Sequence, residues 1–255
     1  MTKNELIRDK IRLGSRTAKR GFKTERDIAD KFNDWRGDED AQQWLTIMGY
    51  DLKEIKKVKA IVITGSHKTD VQVQITIYLK EAIAVENLSV KLVSNPQGFN
   101  QIDKRWVDRY VEMWNIPENI AEALKLFTGE VRPRRENLKD PRRMFLDEMD
   151  AQIQKFVVDF FSENKILIVS DILKGSDEFP VNWMMVVLKK KNENPEWVLK
   201  HINHVLNVLG SGEVRITDRG SLKIGKITMQ RKGGDGGRET SKMLQFKINP
   251  VELFH

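Results

Sequence analysis

The run TDVQVQITIYL (69–79), followed after a short connection by LSVKLV (88–93), decides how the chain is read. Between 70 and 77 the side chains alternate with a period of two. Val71, Val73, Ile75 and Ile77 fall on one side and Asp70, Gln72, Gln74 and Thr76 on the other, which is the signature of a strand with one buried face. KVKAIVIT (57–64) before it is a Val/Ile-rich run with the character of a buried strand, and GSHK (65–68) between them reads as a turn. Together, 57–64, 70–79 and 88–93 predict a three-stranded meander.

Helical periodicity lies outward on both sides. Residues 3–35 read as helical, with Ile28, Ala29, Phe32 and Trp35 in one apolar stripe, and 40–49 as a second short helix through Ala41, Trp44, Leu45 and Met48. After Trp106 the pattern is helical to Met113 and again over 120–127, and 147–164 reads as one long amphipathic helix. The remainder predicts strands at 166–169 and 183–188, a helix at 197–209, and strands at 214–217, 222–224, 226–230 and 243–248. The expected class is mixed α+β, with a mixed central sheet flanked by helices and a β-rich C-terminal region. There is no internal repeat. The Pro- and Arg-rich stretch near 130–142 is the natural boundary, dividing 1–130 from 131–255, with the two halves able to share one core.

At 255 residues, 40% of them hydrophobic and six of them Trp, the chain has the means to bury a core. It contains no apolar run near the ~18 residues that a membrane span needs. The opening MTKNELIRDK is charged and lacks the apolar core of a signal peptide, so a cytoplasmic location is expected. With no Cys, disulfides, thiolate catalysis and Cys-based zinc sites are excluded. The net charge of +7 favours a polyanionic partner. The basic residues gather in two places: Arg132, Arg134, Arg135, Lys139, Arg142 and Arg143 in mid-chain, and a second group from Arg215 to Lys247. His201 and His204 stand three apart on the expected helix at 197–209, but no third metal ligand accompanies them, and a solvated helix face accounts for the pair.

Phosphodiester hydrolysis calls for a divalent metal to offset phosphate charge and activate a water. Asp70 on one strand, with Ser89 and Lys91 on the next, supplies oxygen ligands and a cation converging on one point, because residues 89 and 91 share a strand face while Val90 points to the core. The Val90 carbonyl is a further candidate ligand for Mg²⁺. Ser89 occupies the place where an acid is expected. Glu86, three residues earlier, faces the other way. Glu81 in the connection and Glu25 on the N-terminal helix are the alternative acids.

SRTAKRGFKTERDIADKFNDW (15–35), TDVQVQ (69–74) and SVKLVSNPQGFNQIDKRW (89–106) resemble the GCGC-cutting, monomer-type type II restriction endonucleases of the PD-(D/E)XK superfamily, which are related to the CCGG cutter MspI. The similarity continues through RRMF (142–145), SDILKG (170–175) and TMQRKGGDGGRETSKMLQFKINPVELF (228–254), in order and over nearly the whole chain. The resemblance implies a Mg²⁺-dependent nuclease core followed by a β-rich DNA-recognition region. It also implies cleavage of double-stranded DNA as G^CGC and one active site per chain (a monomer or weak homodimer). A cell hosting such an enzyme must protect its own sites, for which a cognate methyltransferase encoded alongside, in no stable complex with it, is the candidate. The family pattern is Ser/Thr-Asp followed by amide-x-Lys. Asp70 and Lys91 match it, and Ser89 stands where those enzymes carry Gln or Asn. The competing reading is a sequence-specific DNA-binding protein whose nuclease site has decayed.

Two segments are the candidates for reading DNA. SNPQGFNQIDK (94–104) reads as a loop directly after the catalytic strand. Asn95, Asn100 and Gln101 bring amides suited to base edges, Gly98 permits close backbone approach, Phe99 provides an apolar wedge, and Lys104 a cation. QRKGGDGGRE (230–239) sets Gln230, Arg231 and Lys232 beside Gly233, Gly234, Asp235 and Arg238. Arginine and lysine pair with guanine O6 and N7, each good bidentate contact giving roughly 1–3 kcal/mol of discrimination. This Gly-rich stretch is not a phosphate-binding P-loop, having no Gly-Lys-Ser/Thr ending.

Overall fold

The computed structural model describes residues 23–64, 71–176, 179–190, 193–234 and 238–255. In chain order the elements are α1 (23–33), α2 (Glu39–Ile47), β1 (Ile55–Thr64), β2 (Val71–Leu79), β3 (Ile83–Val93) and β4 (Asn100–Arg105). Then come α3 (Val107–Trp114), α4 (Glu118–Thr128), α5 (Ala151–Glu163), α6 (Lys165–Leu173), β5 (Trp183–Leu188), β6 (Glu196–His201) and α7 (Ile202–Gly210). The chain closes with β7 (Val214–Ile216), β8 (Leu222–Ile224), β9 (Ile227–Arg231) and β10 (Leu244–Ile248). The class is mixed α+β, as expected. Among the described residues no helix is long and apolar enough to cross a membrane.

The described residues form two compact units. One comprises 23–100, Leu173–Val205 and Pro250–His255, and the other Gln101–Ile172 and Leu206–Asn249. Both therefore draw on each side of position 130.

The first unit holds a mixed sheet in the order β1-β2-β3-β5-β6, antiparallel except where β3 runs parallel to β5. The meander is present, with β3 longer than its sequence pattern shows. Val73, Ile75 and Ile77 are fully buried together with Leu88 of β3, and Val90 is buried beside them, against Ile28, Ala29 and Phe32 of α1 and Ala41, Trp44 and Leu45 of α2. Alternation with a period of two thus meets the helical stripe, and burial of these side chains is what holds the layers together. The join between the helices is fixed by polar contacts. Asp38 caps α2 by accepting from the Ala41 amide at 2.9 Å, and Lys31 bridges Asp38 and Asp40, each at 2.8 Å. On β1, the Asn33 side chain both donates to and accepts from the Ala60 backbone, at 3.0 and 2.9 Å. This satisfies groups that an edge strand would otherwise leave open.

Two expectations fail in instructive ways. The segment at 196–201, expected to open a helix, is strand β6 paired with β5. Trp197 stands edge-on to Trp44 at 5.6 Å and donates through Nε1 to Asp40, and Leu199 is buried, so the W-x-L alternation outweighs helical propensity. The run at 166–169, expected as a strand, is the first half of α6. Ile168, Val169, Ile172 and Leu173 are buried while Ile166 and Leu167 are exposed, a helical stripe that becomes visible only when the window extends to 173.

The second unit carries an antiparallel ladder of β7 to β10 with β4 at its edge, in the order β4-β10-β9-β8-β7. The long helix expected over 147–164 starts at Ala151, after a 3₁₀ turn at Leu146–Glu148. Its buried aromatic group is Tyr110 stacked on Trp114 at 4.7 Å, with Phe246 and Phe161 edge-on.

Candidate functional site

Strand β3 presents two different faces. Leu88 and Val90 enter the apolar core, whereas Asn87, Ser89 and Lys91 line the opposite face and are only 8%, 4% and 5% exposed. Gln72 of β2 is the register partner of Ser89, and Gln74 that of Asn87, with Gln74 Nε2 donating to Asn87 Oδ1 at 3.3 Å. On the other side β5 sets Met184 against Ser89 and Val186 against Lys91. The result is a short polar row with a lysine at its end, closed in by methionine and valine. Lys91 is thus a cationic side chain held inside the sheet face at the end of that row, a placement that charged residues seldom take without a partner.

The alternative acids separate clearly. Asp70 lies outside the described residues. Glu81 is exposed at the tip of the β2–β3 hairpin, where the Leu79 amide bonds to Ala82. That is the far end of the ladder from Ser89, so Glu81 does not reach the row. Glu86 faces the helices, accepting from the Tyr50 hydroxyl at 2.7 Å and from Trp183 Nε1 at 3.0 Å. Burial first, and then this carboxylate, raise the Tyr50 phenol above its ordinary pKa. Glu25 is 8% exposed and falls on the stripe of α1 that carries Ile28, Ala29 and Phe32.

Among the described residues no group of three or more His, Asp or Glu could hold a metal ion. The Ser89 hydroxyl and the Val90 carbonyl are hard oxygen donors that suit Mg²⁺ in kind, and a carboxylate is needed to complete the set. The histidine pair is dispersed: His201 ends β6, with Nδ1 accepting from the Asn203 amide, and His204 is exposed on α7.

The segment after β3 is half turn and half strand. Asn95 Oδ1 accepts from the Gln97 amide at 3.0 Å, and the Gly98 amide bonds to Asn95 O at 2.7 Å. A Cβ on Gly98 would sit 2.9 Å from that same oxygen, so the turn itself demands glycine. Phe99 is 52% exposed beside it. The expected loop ends there. Asn100, Gln101 and Lys104 belong to β4, and Asn100 Nδ2 is committed to Leu92 O at 3.1 Å. β4 is held by burial of Ile102 and Asp103, the latter accepting from the Tyr110 hydroxyl at 2.6 Å and from Arg105 at 3.2 Å.

In the second unit, β9 and β10 carry the other segment. Gln230 pairs with Gln245 and Arg231 with Leu244. The buried Gln245 amide donates to the carbonyls of Arg231 and Lys232, both at 3.3 Å, and Arg231 Nε donates to Ser241 O at 3.0 Å. Gly233 and Gly234 adopt left-handed φ of 64° and 67°, with open space where a Cβ would be. Their backbone conformation therefore requires glycine, and crowding plays no part. Arg238 is exposed, its carbonyl accepting from the Ser241 amide, and Asp235 lies outside the described residues.

Residues 48–254 match the model of the R.HinP1I restriction endonuclease family. The chain belongs to that family. It is a type II site-specific deoxyribonuclease. Among solved structures it is similar to restriction endonuclease MspI in complex with its cognate DNA, at a TM-score of 0.61 and 14% identity, covering 88% of this chain and 87% of that one; at this identity the likeness is one of fold. No curated protein matches the sequence. The R.HinP1I family match begins just after α2 and runs through the 3₁₀ turn at Pro250–Phe254, so it includes β3, β4 and the β9–β10 pair together. Restriction endonucleases in general require a divalent metal. The Gln245 clamp under 231–232 is one feature of this family member that motif reading missed, because its partners lie more than a dozen residues apart in sequence.

Proposed function

We propose that this family member hydrolyses double-stranded DNA at GCGC, as G^CGC, with Mg²⁺, using a PD-(D/E)XK core centred on β3. What supports the reading most is the pairing of Gln72 with Ser89: Asp70 stands two residues before Gln72, and Lys91 two residues after Ser89. Mg²⁺, when bound, would supply charge neutralisation at the scissile phosphate and an acidified water. Asp70, Ser89 and the Val90 carbonyl are assigned to hold it. Lys91 orients the attacking water and accepts the proximity of the phosphate charge. Residues 1–130 are assigned chiefly to catalysis and 131–255 chiefly to recognition. Phe99, with Asn95, Gly98, Asn100, Gln101 and Lys104, is assigned to meet DNA beside the cut. Gln230, Arg231, Lys232, Gly233, Gly234, Asp235 and Arg238 are assigned to read guanine. The working form is a monomer or weak homodimer, and the host carries a methyltransferase that modifies the same sites.

Lys91→Ala and Asp70→Asn test the assignment in duplexes containing GCGC, with Ca²⁺ for binding and Mg²⁺ for cutting. Cleavage is expected to disappear in both while specific binding survives. Loss of binding in both, with an unchanged circular dichroism spectrum, would remove these residues from catalysis. Ser89→Gln is expected to raise the rate. Specific binding by a wild type that never cuts would favour a decayed nuclease site.

A further inference from the structure

Arg142 and Arg143 have no part in the assignments above. They follow Asp140 in the connection between α4 and α5, where Asp140 and Arg143 form an isolated antiparallel bridge. Arg142 grips the Asp140 carboxylate side-on, Nε to Oδ1 at 2.8 Å and Nη2 to Oδ2 at 2.9 Å, with its side chain 73% exposed. Arg143 turns inward. Its guanidinium lies 3.9 Å from the Phe145 ring centre and 5.8 Å from that of Phe127, with 17% of the side chain exposed. Its Nε is buried 3.6 Å from Asp140 Oδ2 without a hydrogen bond, and among the described residues no acceptor takes one from this guanidinium.

Arg231 at the end of β9 completes the group. Its charge helps burial to depress the proton affinity of Arg143, and Arg142 does the same to Arg231, so the three cations share one field. Asp140 is the carboxylate that serves them, and Arg142 already uses both its oxygens. The next two acids are engaged elsewhere: Asp147 by Lys139, and Glu148 by the amides of Lys139 and Phe145. Three guanidiniums against Asp140, with only a weaker contribution from Glu148 at Arg143, leave net positive charge at a partly dehydrated place, which is costly unless an anion arrives. The ring under Arg143 holds its plane, and a planar fork held in place matches a phosphate's oxygens in geometry.

We propose that Arg142 and Arg143 clasp a backbone phosphate of the DNA duplex beside Arg231, and that this contact sets the register in which residues 230–234 meet the bases. Phosphate contacts position a protein on DNA, while base contacts specify the site. The pair is therefore a positioning element for the reading segment. The inference rests on the chain being a DNA-cutting enzyme and adds a part that no base-reading role supplies.

The test is duplex binding in Ca²⁺ by fluorescence anisotropy over a range of salt, for a GCGC duplex and a scrambled one of equal length. Arg143→Ala is expected to lower the slope of log K against log salt by about 0.9, one phosphate contact's worth, on both duplexes. Arg143→Lys is expected to keep the slope and lose affinity, since an ammonium carries the charge without the stacked fork. An unchanged slope in Arg143→Ala with melting preserved would overturn the proposal, as would an affinity loss confined to GCGC, which marks base reading. Should Arg143→Ala fail to fold, the exposed Arg142→Ala decides: a reduced slope on both duplexes supports the clasp, and an unchanged one overturns it. A wild type that binds neither duplex would instead refute the DNA-cutting reading beneath it.

Discussion

Removing one oxygen atom, in Tyr110→Phe, tests what anchors β4 behind the turn at 94–99. Tyr110 is fully buried and its hydroxyl donates to Asp103 at 2.6 Å, while Asp103 is 4% exposed. Arg105 also donates to that carboxylate, but at longer range, 3.2 and 3.4 Å. The phenylalanine ring keeps the stacking on Trp114, so the change isolates one hydrogen bond to a buried charged acceptor, a bond of roughly 1.5–3 kcal/mol. At ~2–4 °C per kcal/mol for a chain of this size, the melting midpoint is expected to fall by roughly 3–12 °C. The pH dependence supplies a second signature. Burial first, and Asp103 next, raise the Tyr110 phenol well above its ordinary value of 10.0. The unfolded chain sheds that proton near pH 10.0 and the folded chain retains it, so stability is fully present below pH 10.0 and declines as pH rises beyond it. The Tyr110→Phe variant has no such loss, and the gap between wild type and variant should narrow on the alkaline side, while Tyr50 keeps its own share of the decline. Thermal melts across pH measure both. An unchanged midpoint at neutral pH, or a gap of constant size above pH 10.0, would refute the buried hydrogen bond.

Asp140→Asn reports on the acid side. Arg142 holds the Asp140 carboxyl down from 3.8 to about 2, so its stabilising effect is present above pH 3.8 and disappears as pH falls through about 2. Urea midpoints of the two proteins should differ above that window and converge at its lower end; a difference that persists there would argue against the ion pair. Phe99→Ala removes a side chain that is 52% exposed. It is expected to change folding stability by at most about 1 kcal/mol while weakening cleavage of GCGC. Equal loss of stability and activity would place the ring in a structural role instead.

How much is legible follows from how local each signal is. The alternation over 73–77 and the stripe through Ile28, Ala29 and Phe32 are written within a few residues, and both faces read as they stand. The same holds for Ser89 and Lys91 against Val90, since strand alternation alone separates them. The run at 166–169 misleads because four apolar residues fit a strand or a helix equally, and the deciding partners, Ile172 and Leu173, lie further on. At 196–201 helical spacing competes with a W-x-L alternation that Trp44, some 150 residues away, makes decisive. β4 escapes notice because its anchor is Asp103 buried under Tyr110, and a charged residue carries no strand signal. The Arg143 setting has the same character: Phe127 and Phe145 are near in sequence, but Arg231 comes from another strand altogether.

The most direct measurement is digestion of a plasmid of known sequence by the purified protein with Mg²⁺, followed by sequencing of every fragment end. Ends falling only within GCGC, each with a short 5′ overhang cut as G^CGC, are the expected result. Ends at another sequence would refute the assigned specificity while leaving the nuclease, and ends without any sequence rule, or a plasmid left intact, would contradict a site-specific endonuclease built on β3.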